Sequence, residues 1–320
     1  MTTHSFRHSI PEEILALSHE RDLLRRRGQY DRADILKRQI EDAGYIIKDN
    51  PRGGHLVTLP SIEIDGQVYR TARQLPSLLD EPDRCTFSVN ILAHNNYEQT
   101  VRCIESVLRF ADTTDIEIVL IDNASQDGID LWAEAYKYQE ARLRVLHITR
   151  TMGEAEARNV GLKQSRGRYI LVLDSSVELT GDAFTPLMQT LEDGSVGITG
   201  LRGLQTEDLR NYEESQNTEV DVIDTLCMAF RRVLLKKAGL FDERYRFPYY
   251  MDVDFNFTVR DLGTTLVVTP NLPVLRHAIE PDAKLSDAEQ TRLMKRNFYR
   301  FREKWGERDD LLPEYDEDEE

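Results

Sequence analysis

Short apolar segments alternate with helical segments through the middle of this chain, and this alternation constrains its fold most. Buried strands are predicted from four apolar runs, at residues 87–93, 116–121, 143–148 and 169–173. Residues 97–110 and 155–164 carry apolar side chains at helical spacing. Strands that alternate with helices form a parallel sheet, and ligands bind beyond the carboxyl ends of such strands. The sequence therefore predicts an α/β domain with a mostly parallel central sheet.

Charge and composition exclude several classes of partner. The 320 residues carry 41 Lys and Arg against 57 Asp and Glu, a net charge of −16. This balance argues against general electrostatic binding to nucleic acid or to an anionic bilayer, and leaves only a local basic patch to act in that way. No apolar run approaches the roughly 20 residues of a transmembrane segment, and the N-terminus lacks an apolar signal core. Cys85, Cys103 and Cys227 have no metal-ligand spacing and predict no disulfide framework, so we expect a cytoplasmic protein.

Polar residues stand at the ends of the predicted strands. His94 and Asn95 follow the first strand, Asp122 ends the second, and Asp174 ends the fourth. A carboxylate at such a position can accept hydrogen bonds from a base imide or a ribose hydroxyl. Asp and Asn are also common in turns and helix caps, so the ordered set carries more weight than any single position.

Four blocks of sequence carry a resemblance to a known family. They are SVNILAHN at residues 88–95, IVLIDNASQDG at 118–128, a block from Gly153 to Asp174 that holds ARNVGL and RGRYILVLD, and LFDE with DVDF between residues 240 and 255. In this order the blocks resemble family 2 glycosyltransferases, which have the GT-A nucleotide-sugar-binding fold. The resemblance covers residues 86–306. It implies a hexosyltransferase-like enzyme that moves a sugar from a nucleoside-diphosphate sugar to an acceptor that the sequence does not identify, with inversion favoured over retention.

The resemblance also implies a nucleotide site. Carried over by position, its members are Ala93, His94, Asn95, Asp122, Arg158 and Asp174. The guanidinium of Arg158 can offer several fixed donors to anionic oxygens. The alternative for Arg158 is an ion pair at the surface.

An incomplete acidic motif follows the fourth predicted strand. The family has Asp-x-Asp here, which implies a Mg²⁺ or Mn²⁺ ion bridging the two phosphates, but this chain reads Asp174-Ser175-Ser176-Val177-Glu178. The implied metal ligands are Asp174, Ser176 and His277. Ser176 is a neutral, weaker ligand than a carboxylate, unless Glu178 or water fills in. Either the diphosphate site persists with a weak metal, or catalysis has been lost.

The resemblance places the catalytic base near residue 250. Asp252 aligns with the carboxylate that takes the proton of the acceptor hydroxyl, while Met251 replaces the usual acidic neighbour. The alternative is that Asp252 caps a helix over residues 253–262. Asp254 is expected to support the start of that helix through its dipole. Tyr249 and Tyr250 could stack on a sugar face or pack in the core.

Residues 1–59 form a separate zone with two predicted helices. Ile14 and Leu24 mark the apolar face of the first helix, Ala33 and Ile40 mark that of the second, and Gly44 is a C-cap. Residues 49–54 are predicted as a turn that leads into a strand at 55–59. The zone resembles the C-terminal helical segment of cysteinyl-tRNA synthetases, on the residues Glu20-Arg21, Asp31-Arg32-Ala33-Asp34, Ile40, Gly44, Asp49, Pro51 and Gly53. By analogy this implies a tRNA or RNA partner; the alternative is a helical hairpin used for packing or dimerisation.

The remaining segments connect and end the predicted domains. Residues 60–85 are a connector that contains a small hairpin around Asp65-Gly66. Residues 307–320 form an acidic tail of disordered type. Three functions compete: a glycosyltransferase with Asp252 as base, a catalytically impaired nucleotide-binding protein, and an RNA-associated module led by residues 1–59.

Overall fold

The computed structural model describes residues 10–50, 53–245, 250–278 and 286–312. The chain divides into two compact units, Met1–Leu75 and Pro76–Glu320. Pro51 of the predicted turn, Tyr249 of the predicted aromatic pair and residues 313–320 of the predicted tail lie outside the described residues. Within the described part of the chain, no helix has the length and apolar character to cross a membrane.

The first unit opens with the two helices that the apolar spacing predicts, α1 (Glu12–Arg26) and α2 (Tyr30–Asp42). Gly44 ends α2 as expected, because its φ of +88° suits glycine and its N–H donates to the Glu41 carbonyl at 2.9 Å. The buried side chains of Ile14 and Ile40 pack with Ile47 and Leu56.

A β-hairpin follows the helices and corrects the predicted turn. Strands β1 (Tyr45–Asn50) and β2 (Gly53–Thr58) pair antiparallel, with Asp49 opposite Gly54 and Asn50 opposite Gly53. The turn predicted at residues 49–54 is therefore too long at both ends, since residues 49–50 and 53–54 lie in the ladder. A second hairpin, β3 (Ile62–Ile64) with β4 (Gln67–Tyr69), confirms its prediction, with positive φ at Asp65 and Gly66.

The second unit contains the alternating elements of the sequence. Its first half holds β5 (Cys85–Ala93), α3 (Tyr97–Phe110), β6 (Ile116–Asn123), α4 (Ile129–Tyr136), β7 (Leu143–Ile148), α5 (Glu154–Gln164), β8 (Gly167–Asp174), β9 (Val177–Leu179), α6 (Phe184–Glu192) and β10 (Val196–Gly200). Its second half holds β11 (Gly203–Gln205), β12 (Glu213–Glu214), β13 (Val222–Ile223), β14 (Cys227–Arg231), α7 (Leu235–Ala238), α8 (Met251–Arg260), β15 (Thr265–Val268), β16 (Val274–Arg276) and α9 (Asp287–Trp305). The predicted helices and strands of the first half are confirmed within a few residues.

The central sheet of this unit runs in the order β15-β10-β14-β8-β5-β6-β7. Strands β8, β5, β6 and β7 are parallel neighbours, and β15 is parallel to β10. Among the described strands in this order, β14 alone runs antiparallel, between β10 and β8. The mostly parallel sheet predicted from the alternation is confirmed.

Apolar side chains cover both faces of this sheet. Tyr169, Leu171 and Leu173 of β8 belong to one core, and the alternate residues Ile170 and Val172 belong to the other. Successive side chains of a strand point to opposite faces, so both faces are buried and the sheet can expose functional groups only at its ends.

Candidate active site

The register of the parallel strands brings two predicted carboxylates to the same edge of the sheet. Ala93 of β5 pairs with Asp122 of β6, and Leu92 pairs with Asp174 of β8. Both acids therefore flank the carboxyl end of the central strand β5, where α/β sheets bind ligands.

Asp122 lines a cavity of about 330 Å³ together with His147 and Glu134. The Asp122 carboxylate is buried, accepts the Ser125 N–H at 2.9 Å and lies 3.1 Å from His147 Nδ1. His147 Nε2 lies 3.0 Å from the Glu134 carboxylate. The hydrogen bond to Asp122 raises the pKa of His147 above its ordinary value; burial opposes this, and Glu134 adds to it. The protonated, positively charged form of His147 is therefore favoured beside the Asp122 carboxylate.

The loop after β5 is tied to the loop after β6. His94 Nδ1 donates to the Asn123 carbonyl at 2.8 Å. Asn95, at a φ of +55°, accepts the Gln126 N–H on its Oδ1 at 2.7 Å and donates its own N–H to Ser125 Oγ at 3.2 Å. The predicted nucleotide loop, from buried Ala93 to Asn95, is thus fixed against the residues that border the Asp122 cavity.

A larger cavity of about 700 Å³ holds two of the predicted chemical groups. Asp174, at the end of β8, and Asp252, in the first turn of α8, both line it. Other polar residues of its wall come from α5, from the segment between β10 and β14, and from β16, and they include Glu154, Arg202, Tyr212, Asp224 and Arg276.

Asp252 lies inside the first turn of α8, in surroundings that shift its pKa. Tyr250, at a φ of +72°, is the N-cap of α8, and no side chain caps this helix, so the helix-cap interpretation of Asp252 is wrong. The Asp252 carboxylate accepts the Val253 N–H at 2.9 Å. Burial raises the pKa of Asp252 to about 6; the Val253 N–H opposes this, and the nearby Asp224 and Glu154 carboxylates add to it.

Asp254 does more than complement the dipole of α8. Its buried carboxylate accepts hydrogen bonds from Lys304 Nζ at 3.0 Å and from Trp305 Nε1 at 2.9 Å, both on α9. The start of α8 is therefore fixed to the C-terminal helix.

The incomplete acidic motif lies beside His277. Ser176 Oγ donates to Asp174 Oδ1 at 2.5 Å, and the Ser176 N–H donates to the same oxygen at 2.9 Å. Because β9 pairs with β16, the His277 N–H reaches the Ser176 carbonyl at 2.9 Å, and His277 Nε2 lies 2.7 Å from the Glu178 carboxylate. No group of three or more His, Cys, Asp or Glu side chains placed to hold a metal occurs in the described ranges.

Arg158 is engaged in an ion pair inside its own helix. The side chain is 5% exposed, and its Nε donates to the Glu154 carboxylate at 2.9 Å. Glu154, rather than Arg158, lines the larger cavity. The alternative of an ion pair is thus observed, but with the Arg158 side chain buried rather than at the surface.

Several residues of the two cavities were missed by the sequence reasoning. His147 lies near the carboxyl end of a correctly predicted strand, so the rule that found Asp122 could have found it too. Arg202, Tyr212 and Asp224 lie among short strands and irregular segments, where no periodicity marks a position.

The mostly parallel sheet, with acidic residues at its strand ends and cavities beyond them, has the GT-A fold of its structural neighbours. Residues 88–255 match the model of Glycosyl transferase family 2, and the chain belongs to this family. The crystal structure of GalNAc-T7 with UDP, GalNAc and Mn²⁺ superposes with a TM-score of 0.61 at 17% identity, over 70% of this chain and 48% of that one. The mannosyltransferase PcManGT from Pyrobaculum calidifontis, in complex with GDP-Man and Mn²⁺, gives a TM-score of 0.55 at 19% identity, over 76% and 71%.

Two curated relatives each match about half of the chain. The uncharacterized glycosyltransferase EpsJ of Bacillus subtilis (strain 168) is 32% identical over 177 residues, 49% of this chain and 50% of EpsJ. The poly(ribitol-phosphate) β-N-acetylglucosaminyltransferase TarP of Staphylococcus aureus (strain N315) is 30% identical over 172 residues, 51% of this chain and 52% of TarP. The chain spans about half of the length of these two relatives.

Proposed function

We propose that this protein is an inverting glycosyltransferase that moves a sugar from a nucleoside-diphosphate sugar to an acceptor hydroxyl. The observation that carries the proposal is the shared cavity, since Asp174 and Asp252 line one space of about 700 Å³. That volume accommodates a sugar and part of an acceptor. Membership of the family and the GT-A fold support the proposal.

In this proposal Asp252 is the general base. Its carboxylate takes the proton of the acceptor hydroxyl while the hydroxyl oxygen attacks the anomeric carbon. The bond from that carbon to the diphosphate oxygen breaks, and the nucleoside diphosphate leaves with the electron pair. With a pKa of about 6, Asp252 is ionised at neutral pH and is also a stronger base than an ordinary carboxylate.

The nucleoside is assigned to the Asp122 cavity and the adjacent loop. Asp122 accepts from the base imide or a ribose hydroxyl, since a carboxylate has more lone pairs than the Ser125 and His147 contacts use. The fixed loop of Ala93, His94 and Asn95 borders the same ligand. Arg158 acts here through Glu154, which it holds at the wall of the larger cavity.

A divalent cation, Mg²⁺ or Mn²⁺, is assigned to Asp174, Ser176 and His277. Carboxylate, hydroxyl and imidazole donors suit Mn²⁺, and the strand pairing of β9 with β16 already brings Ser176 and Glu178 beside His277. His277 would exchange its contact with Glu178 for the ion, or Glu178 would join it. When bound, the ion neutralises charge on the departing diphosphate. Two solved neighbours contain Mn²⁺, which supports the assignment.

The proposal is tested with UDP-GlcNAc, UDP-GalNAc, UDP-glucose and GDP-mannose as donors. Thermal shift measures donor binding, and release of UDP or GDP measures turnover, each with Mn²⁺ and with EDTA. We expect at least one donor to bind and turn over, and EDTA to suppress turnover. Donor binding without nucleotide release from any member would favour the catalytically impaired binding protein instead.

The metal assignment has its own gain-of-function test. Ser176→Asp restores the second carboxylate and should lower the Mn²⁺ concentration needed for half-maximal turnover by about tenfold or more. Ser77→Asp adds the same charge at an exposed site and should leave that concentration unchanged. An equal response in both variants, or none in either, would place the ion elsewhere.

A second proposal concerns the first unit, where Arg25, Arg26 and Arg27 are exposed at the end of α1. We propose that this basic run contacts tRNA or another RNA, in a chain whose overall charge opposes general binding. A gel shift of tRNA at low salt should be lost when all three arginines are changed to Gln. If the gel shift persists in this variant, or if the wild type gives no shift, the proposal is wrong. The helices α1 and α2 would then serve in packing.

A further inference from the structure

The wall of the larger cavity carries a set of side chains to which the proposed transfer assigns no contact with a ligand. Arg202, Tyr212 and Asp224 come from the segment between β10 and β14, and Tyr250 stands immediately before α8. All four line the same space as Asp252, so they face whatever molecule presents its hydroxyl to that carboxylate.

Two hydrogen-bonding atoms of this set lack protein partners. Within the described part of the chain, the Tyr212 hydroxyl and the Arg202 Nε are closed off from solvent and have no hydrogen-bond partner. Native proteins leave few buried polar atoms in this condition, and such atoms often mark a site where a ligand supplies the partner. Both residues line the cavity, so a ligand held there is positioned to supply the missing partners.

The guanidinium of Arg202 is held in place by an acid. Its Nη2 lies 2.6 Å from the Asp224 carboxylate, which also accepts the Leu226 N–H at 3.2 Å. The plane of the guanidinium is therefore set before any ligand arrives. A fixed planar donor of this kind selects an acceptor oxygen by direction as well as by distance.

Two aromatic rings stand next to these donors. The rings of Tyr212 and Tyr250 meet edge to face, with centroids 6.3 Å apart. Tyr250 is wedged against Phe298 and Phe301 of α9 at 6.1 and 5.3 Å, and its hydroxyl donates to the Arg210 carbonyl at 3.3 Å. Rigid rings beside fixed polar groups suit a ligand with an apolar ring face and hydroxyls at its edge.

The charge of the cavity limits what such a ligand can carry. Carboxylates outnumber guanidiniums along the lining, and Arg202 is already paired with Asp224. The other guanidiniums of the lining are those of Arg210 and Arg276, and the exposed carboxylates of Glu213 and Glu214 offset their charge. A phosphate or carboxylate group on the incoming molecule would meet net repulsion.

We propose that Tyr212 and Arg202 form an acceptor subsite that takes a neutral sugar ring, so that the acceptor is itself a glycan without charge at this position. The Tyr212 hydroxyl and the Arg202 Nε bond two hydroxyl oxygens of this ring, and the tyrosine rings contact its apolar face. This inference rests on the proposed transfer reaction for its meaning, because it names the acceptor of that reaction.

The subsite is tested by binding without turnover. Saturation-transfer NMR in the presence of UDP or GDP compares methyl glycosides of glucose, galactose, mannose and N-acetylglucosamine with methyl glucuronide and ribitol 5-phosphate. We expect at least one neutral glycoside to bind better than both anionic probes. Tyr212→Phe removes only the hydroxyl. This variant and Arg202→Lys should each lower the affinity for that glycoside by about five- to tenfold. The control Tyr138→Phe removes a hydroxyl from a tyrosine that is 84% exposed and should change nothing.

Thermal shift with the donors on the same variants separates this idea from the proposed function. Unchanged donor binding together with weakened glycoside binding supports the subsite. Tighter binding of an anionic probe, equal glycoside binding in Tyr212→Phe and wild type, or no binding of any neutral glycoside would overturn it. Loss of donor binding in the wild type would instead remove the transfer reaction itself.

Discussion

Asp252 and its neighbours show how single residues set the chemistry of the site. Burial and the carboxylates of Asp224 and Glu154 act together to raise the pKa of Asp252. The sequence identified Asp252, Asp174 and Asp122 because each lies in a block that resembles the family. It could not identify Asp224. This residue affects Asp252 only because the fold brings both residues to one cavity.

The raised pKa predicts the acidic limb of the pH profile. A base acts only when ionised, so kcat/KM should fall about tenfold per pH unit below a pH of about 6, where Asp252 becomes protonated. Asp224→Asn removes one of the charges that raise this pKa and should move the limb to lower pH. Nucleotide release measured between pH 4.5 and 8 checks both. A wild-type profile that stays flat down to pH 4.5, or a limb that moves upward in Asp224→Asn, would contradict the assignment.

At the scale of elements, the approach of β8 to β5 depends on a glycine. A Cβ on Gly167 would lie 2.5 Å from the Phe87 carbonyl carbon and 2.9 Å from Ser88 Oγ. The Ser88 hydroxyl is also hydrogen-bonded, since it accepts the Gly167 N–H at 2.7 Å and donates to Glu117 at 2.6 Å. Neither the backbone nor this hydroxyl can move away cheaply, so the alignment of Asp174 with the end of β5 requires glycine here.

Gly167→Ala should therefore lower the free energy of unfolding by about 1–3 kcal/mol or more, as overpacking against a buried backbone does. Gly194→Ala is the matched control, because a Cβ there meets nothing within 4 Å and its change should stay within about 0.5 kcal/mol. Urea unfolding of both variants measures the difference. Equal stabilities would show that β5 and β8 can separate without cost.

The elements of the second unit were predictable where their pattern is local. Apolar spacing marks α3 and β7 to the residue, and it marks the strands that end at the two acids. The pairing of β9 with β16 is different, because it joins Glu178 to Leu275 across about a hundred residues that carry no sign of the contact. Local sequence pattern therefore does not predict that His277 lies beside Ser176; that expectation came from the family resemblance alone. In the first unit β1 was missed, since a short apolar run directly after a helix has no period of its own.

At the scale of the whole molecule, the match to the family lies entirely within the second unit, Pro76–Glu320. The class of fold followed from the order of strands and helices, and the roles proposed for Asp174 and Asp252 come from resemblance. The walls of the larger cavity did not, because the segment between β10 and β14 contains short strands and bends whose course is set by packing rather than by local sequence. The sequence therefore predicts the type of reaction better than it predicts the acceptor.

Turnover and donor binding measured together on Asp252→Asn test the central claim most directly. The substitution keeps the size of the side chain and removes its basicity, so release of UDP or GDP should fall by about 10²–10⁴-fold while donor affinity from thermal shift stays unchanged. Asp261→Asn, at the other end of α8, removes a carboxylate that pairs with Arg308 near the surface and should retain wild-type turnover. Turnover in Asp252→Asn equal to that of the wild type would contradict the account.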